Sequence, residues 1–237
     1  MARILAVGAH PDDVEIGMGG TVAAHAAAGH RVTILDLTRG ERSTNGTAAE
    51  RAAEAIEAAG VLGAGRDNLG LADLGFSVDE ETVGALVQVI RTVRPAVVCG
   101  PYWEDRHPDH VRCSRLVTEA CFAAGVGKFA PGLESFRPSL VAYYFINTEA
   151  VPSFVIDVSA YYERKLAALA AHHTQFARTS EETTGTPLND PDFLAFVQSR
   201  DRLFGSKTGV GFAEGFVRRG LNRVGSLLEL VPGAVPE

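Results

Sequence analysis

Short apolar runs alternate along this chain with longer stretches whose apolar residues recur every three or four positions, the rhythm of strands and helices taken in turn. Arg3 to Val7 reads as a first strand. After a polar loop, Thr21 is placed to cap a helix through Ala23-Ala24-His25-Ala26-Ala27-Ala28, stopped at Gly29. Arg31 to Leu37 predicts a second strand, Thr38 to Gly46 a polar, Gly-punctuated loop, and Thr47 to Leu62 an Ala-rich helix. A short strand over Asn68 to Leu71 precedes a helix from Asp79 to Val93 with Val83, Leu86, Val87 and Ile90 on one face. Pro95 ends that helix, and Ala96 to Cys99 forms the next strand.

Further on, the pattern predicts a helix to Ala124, an irregular Gly/Pro stretch, and strands at Ser139 to Ile146 and Phe154 to Val158. A helix over Ala160 to His172 and a polar loop through Thr186 follow. The next helix is opened by Asp190-Pro191-Asp192, with its cap and first-turn proline in place. The tail from Gly209 to Glu237 is Gly-rich and shows no clear period. Strand and helix taken in turn predict an α/β fold: a Rossmann-like, mostly parallel sheet flanked by helices, with a C-terminal α/β elaboration. No internal repeat or linker divides it, so residues 1–237 are expected to form a single domain.

Composition narrows the class. With 237 residues and 46% hydrophobic content the chain can bury one full core. No apolar run is long enough to span a bilayer, and Met1-Ala2-Arg3-Ile4 leads straight into a strand rather than a signal peptide, so the expectation is a soluble, cytoplasmic protein without membrane contact. Cys99, Cys113 and Cys121 form no Cys-x-x-Cys and are expected as buried small hydrophobes. A net charge of −7 without a Lys/Arg run disfavours nucleic-acid binding.

Two stretches carry the chemistry: Ala9-His10-Pro11-Asp12-Asp13-Val14-Glu15, and Glu104-Asp105-Arg106-His107-Pro108-Asp109-His110. Each puts His-Pro-Asp directly after a predicted strand, at the sheet edge where α/β proteins build ligand sites. His10 and Asp13 are spaced to hold one divalent ion, with His110 as third ligand from the facing loop. Two imidazoles and a carboxylate leave a position for water, as in catalytic zinc sites. Asp12 is then the free carboxylate able to take the water's proton. The Gly8 and Gly17-x-Gly19-Gly20 pattern also admits a dinucleotide reading, but Asp12, Asp13 and Glu15 would lie against the pyrophosphate.

Plainer readings stand beside these. Asp12 or Asp13 could cap the following helix, and Asp109 could cap the one after it. His25, His30, His172 and His173 are expected as surface or core residues. Cys113 could ligate as a thiolate, though its neighbours favour core packing. Arg39, Arg42, Arg51 and Arg106 fall on loops at strand C-terminal ends, where guanidinium forks suit a substrate carboxylate; Arg39 and Arg42 could equally be solvated loop residues paired with Glu41 or Glu104.

The two motifs resemble those of the LmbE-like (PIG-L) zinc-dependent N-acetylglucosaminyl deacetylases, marked by Ala-His-Pro-Asp-Asp and His-Pro-Asp-His. Asp36-Leu37-Thr38-Arg39-Gly40-Glu41, Asn45-Gly46-Thr47, Tyr144-x-Ile146-Asn147, Gln175-Phe176 and Ala213-Glu214-Gly215-Phe216 extend the resemblance to the branch acting on N-acetylglucosaminyl-malate in bacillithiol biosynthesis. The resemblance implies one zinc ion on His10, Asp13 and His110, other divalent metals remaining open, and Asp12 as general base. It further implies that His107, oriented by Asp109, stabilises the oxyanion and protonates the leaving amine, with Arg51 and Arg106 in the substrate pocket. A homo-oligomer, in the family's manner a hexamer, is implied too. Relatives carry an oxyanion-donating Tyr where this chain has Phe193, which would leave more of that task to zinc and His107. Rival readings are a mycothiol-type or chitooligosaccharide deacetylase or amidase, and a non-catalytic Rossmann-type nucleotide-binding module.

Overall fold

A computed structural model describes residues 1–177, 184–221 and 223–230. Residues 178–183 of the expected polar loop, and 222 and 231–237 of the Gly-rich tail, lie outside the described residues. The strands are β1 (Arg3–Gly8), β2 (Arg31–Thr38), β3 (Gly65–Leu71), β4 (Val97–Pro101), β5 (Leu140–Tyr144), β6 (Phe154–Asp157) and β7 (Ala213–Val217). They form one sheet in the order β3-β2-β1-β4-β5-β7-β6. The first five run parallel; β7 pairs antiparallel with β5, and β6 antiparallel with β7. The Rossmann-like expectation and its elaborated C-terminal edge are both met.

The apolar runs explain the layers. In β1, Ile4 and Ala6 face one side of the sheet, packing in the cluster that includes Ile16 and Val22 of α1 (Asp13–Ala27), Ala58 and Leu62 of α2 (Ala48–Leu62), and Leu169 of α5 (Tyr162–Ala171). Leu5 and Val7 face the other, against Leu86 and Ile90 of α3 (Glu80–Val93) and Cys113, Leu116 and Val117 of α4 (Pro108–Ala124). A strand covered on both faces must be apolar throughout, which is why the sequence shows runs rather than alternation. All three cysteines are free and buried. Among the described residues no helix is long and apolar enough to cross a membrane.

Several boundaries differ from expectation. Thr21 is not a cap: α1 begins at Asp13, with Asp12 in the N-cap position at φ 130, and Met18 interrupts the helix at φ −150. The acids of the first motif, expected as loop, therefore open a helix whose first turn favours negative charge. The strand expected at Asn68 starts at Gly65, and the one expected over Ser139 to Ile146 is confined to β5. The helix expected over Ala160 to His172 resolves into a short 3-10 turn (Ser159–Tyr161) and α5, and a further single turn, α6 (His173–Phe176), follows it. The helix opened by Asp190 is α7 (Pro191–Thr208). In the tail, β7 was hidden by its Gly and by a Glu that proves to be buried. Thr47 caps α2 and forms a reciprocal box with Glu50.

Topology now places the site. From β1 the chain turns into α1 on one face, and from β4 into α4 on the other. The crevice at this change of direction lies beyond the C-terminal ends of both strands, and each His-Pro-Asp motif leaves one of those ends.

Candidate metal centre and active site

His10, Asp12, Asp13, Arg51, Arg106, His107 and His110 line one cavity of about 430 Å³. Asp109 lies fully buried behind it. Asp13 joins the expected trio: its Oδ1 is 3.1 Å from His110 Nε2, and its Oδ2 is 3.7 Å from His10 Nδ1. Oδ2 also accepts from the amides of Ala9 (2.8 Å) and His10 (3.0 Å), which fixes the carboxylate at the turn. The other nitrogen of each imidazole meets a further carboxylate. His110 Nδ1 is 2.9 Å from Asp105 Oδ1; His10 Nε2 is 3.3 Å from Asp73 and 3.5 Å from Asp109. A carboxylate behind a histidine fixes its ring and raises its basicity, the usual support of a ligand imidazole. Among the described residues, donor atoms converge within 4.8 Å in two sets, His10 with His107 and His110, and His10 with Asp73 and Asp109.

These buried acids outnumber the guanidiniums that touch them, Arg51 on Asp12 and Arg112 on Asp109. A closed set of imidazole and carboxylate donors with excess negative charge suits a divalent cation that accepts nitrogen and oxygen ligands. Cys113 is not among the donors; it is buried in the apolar layer under α4, and burial drives its thiol well above the usual range.

The paired acids are driven apart. Burial raises the Asp12 carboxyl to about 6, against the lowering pull of Arg51. Burial would raise Asp13 as well, but the imidazoles of His110 and His10 outweigh it and hold that carboxyl well below the usual range. Two neighbouring carboxylates with opposed shifts are the arrangement of a proton acceptor beside a permanent anion. Asp12 is also a non-glycine residue at φ 130, and such strained residues concentrate at functional sites.

Two expectations need correction. Asp109 does not orient the His107 ring with its carboxylate, which accepts from Leu74 N (2.8 Å), pairs with Arg112, and lies beside His10. Instead the backbone amide of Asp109 donates to His107 Nδ1 (3.2 Å). Arg51 does line the cavity, yet its guanidinium is turned onto the protein: Nη2 donates to Pro11 O (2.6 Å) and Asp12 Oδ2 (3.0 Å), and Nη1 to Gly40 O (3.3 Å). It holds Asp12 rather than offering a free fork. Arg42 and the exposed Arg106 remain in the cavity wall, whereas Arg39 lines a separate hollow behind Pro11. Phe193 is buried and lines an adjoining hollow; among the described residues no tyrosine lines the cavity.

Asp73 and Asp105 were not singled out as site residues. Asp105 is the most connected, accepting from His107 N (2.9 Å) and from Asn147 N and Nδ2 (both 3.0 Å) besides meeting His110. A ligand histidine usually needs a carboxylate partner, so the acid preceding Arg106 could have been suspected; for Asp73, on the loop after β3, no sequence signal exists. Of the other histidines, His172 is fully buried near Glu15 and the rest stand clear of the cavity.

The sequence model of the PIG-L family, described as GlcNAc-PI de-N-acetylase, matches residues 5–121, the span holding both motifs. The chain is 31% identical to the 1D-myo-inositol 2-acetamido-2-deoxy-alpha-D-glucopyranoside deacetylase of Acidothermus cellulolyticus, over 73% of this chain and 80% of that one. It is 29% identical to the diacetylchitobiose deacetylase of Thermococcus kodakarensis, over 90% of this chain and 81% of that one. The crystal structure of the conserved protein TT1542 from Thermus thermophilus superposes with a TM-score of 0.87, at 36% identity and full coverage of both chains. This chain belongs to the PIG-L family of de-N-acetylases.

Proposed function

We propose that this chain is a divalent-cation-dependent hydrolase that removes the N-acetyl group from an N-acetylglucosaminyl conjugate, with zinc as the cation and N-acetyl-α-D-glucosaminyl L-malate as the preferred substrate. The observation that carries the reaction is Asp13 bridging His10 and His110 while Asp12, beside it, is raised to about 6. His10, Asp13 and His110 would hold the cation. Zinc bound there would polarise the acetamide carbonyl and lower the pKa of a water to about 7.

The chain's own groups do the rest. Asp12 accepts the proton of the attacking water, and Arg51 keeps its carboxylate aimed. Because His107 Nδ1 accepts the Asp109 amide, the neutral ring carries its proton on Nε2. That N–H donates to the oxygen that becomes negative as the amide carbon turns tetrahedral; because a neutral imidazole does not give up its last proton, the departing amine takes, as the C–N bond breaks, the proton that Asp12 removed from the water.

What supports malate is a single guanidinium: Arg106 lines both the cavity and the adjoining hollow of about 680 Å³, where an aglycone would extend past Asp190 and Asp192. A charged hydrogen bond contributes about 1.5–3 kcal/mol. Arg106→Ala should therefore cut kcat/KM on the malate conjugate by roughly ten- to a hundred-fold, and change plain N-acetylglucosamine far less. Arg51→Ala should lower both substrates alike, because it acts through Asp12. The relatives named above support a second reading, an inositol conjugate or diacetylchitobiose. Acetate release measured across malate, inositol and chitobiose conjugates decides: highest kcat/KM on malate is expected, and a preference for either neutral conjugate replaces malate as the substrate.

A further inference from the structure

Two sequence features play no part in the chemistry above: the glycines of Gly17-x-Gly19-Gly20 and the stretch Ala213-Glu214-Gly215-Phe216. The fold brings them together at the break in α1. A Cβ on Gly17 would come within 2.1 Å of Tyr144 Cδ2, and one on Gly20 within 2.7 Å of Val158 Cβ, so the broken segment is pressed against its neighbours without room for side chains. The glycines serve close packing rather than phosphate binding.

A helix break leaves carbonyls of the first segment and amides of the second without intrahelical partners. Here both sides are met by charged groups. Glu214 Oε1 accepts from Gly20 N (2.9 Å) and Oε2 from Thr21 N (2.7 Å), while Arg200 Nη2 donates to Ile16 O (2.8 Å). The two belong to one network. Lys165 Nζ donates to Asp201 Oδ2 (2.6 Å) and Glu214 Oε1 (2.7 Å), and Arg200 Nε donates to Asp201 Oδ1 (3.0 Å). All four side chains are buried, two cations against two anions.

Arg200 also reaches the other arm of the site. Its Nη1 donates to Phe145 O (2.9 Å) and Ile146 O (3.1 Å), directly before Asn147, which holds Asp105 behind His110. One guanidinium thus grips the segment that carries Asp12 and Asp13 and the strand end that supports His110. Apolar residues of similar volume would join these elements as stably, whereas a fully bonded polar network imposes one geometry.

We propose that Arg200 and Glu214 are positioning residues: through the Lys165–Asp201 pair they fix the break in α1, and with it the placement of Asp13 against His110. The inference rests on the cation site proposed above. The test is Co²⁺ titration of wild type, Arg200→Lys and Glu214→Gln, followed by visible absorption of the bound ion. Arg91→Lys is the control, a buried arginine bonded to Ala124, Val126 and Ala130 carbonyls beside α3 and α4. Folded Arg200→Lys and Glu214→Gln should bind Co²⁺ about ten- to a hundred-fold more weakly, with an altered spectrum, while the control binds as wild type does. Wild-type affinity and spectrum in both variants would overturn the proposal.

Should the variants not fold, hydrogen exchange on the wild type decides. Coupling is reciprocal, so Co²⁺ must slow exchange of the Gly20 and Thr21 amides; unchanged exchange there overturns the proposal. A wild type that binds no Co²⁺ would instead remove the cation reading beneath it.

Discussion

Asp12→Asn lowers kcat by about a hundred-fold or more, the loss expected when a general base is removed, while the cation stays bound. Asn keeps the shape and tolerates the positive φ of this position better than most residues, and its side-chain oxygen can still accept from Arg51. What it loses is the capacity to take a proton. The pH profile gives a second reading. Asp12 must be charged to act, and burial raises its carboxyl to about 6, so wild-type activity falls as pH drops through that region, or lower where a bound cation pulls the carboxyl down. The acid limb due to Asp12 disappears in the Asn variant. Loss of the cation together with activity would mean that Asp12 and Asp13 have exchanged roles.

The second large effect is on cation binding. Asp13→Ala removes the group that joins His10 to His110, and His110→Ala removes a ring nitrogen. Both should lower zinc affinity by more than the roughly ten- to hundred-fold typical of losing an outer partner, with the fold retained, because the sheet and both apolar layers are built from other residues. Asp105→Asn supplies that outer-partner comparison, since Asp105 meets His110 on the nitrogen away from Asp13. His107→Ala should keep its zinc and lose activity. Isothermal titration with Zn²⁺ ranks the four; full affinity in Asp13→Ala or His110→Ala strikes that residue from the ligand set, and weak binding in His107→Ala adds His107 to it.

The parallel half of the sheet was legible because burial on both faces leaves β1 and β4 as short apolar runs and β2 apolar from Val32 to Leu37 but for Thr33 and the buried Asp36, and because Pro95 marks a helix end in local chemistry. The convergence of His10, Asp12, Asp13 and His110 was legible because they sit at fixed short spacings in two motifs that leave strand ends, where α1 and α4 begin. What escaped depends on contacts distant in sequence. Glu214 makes β7 look polar, and only Lys165 and the amides of Gly20 and Thr21 account for its burial. Asp73 reaches His10 because the loop after β3 returns across two strands. Arg51 looked like a substrate fork, and nothing local shows that a residue in the first turn of α2 reaches back to Asp12.

The central claim, cation-dependent N-deacetylation, is tested most directly by following acetate release from N-acetylglucosaminyl-malate before and after chelation, then after adding back one equivalent of Zn²⁺. The account predicts that release stops on chelation and returns with zinc in the wild type, and does not return in Asp13→Ala. Undiminished acetate release by the thoroughly chelated protein would contradict it.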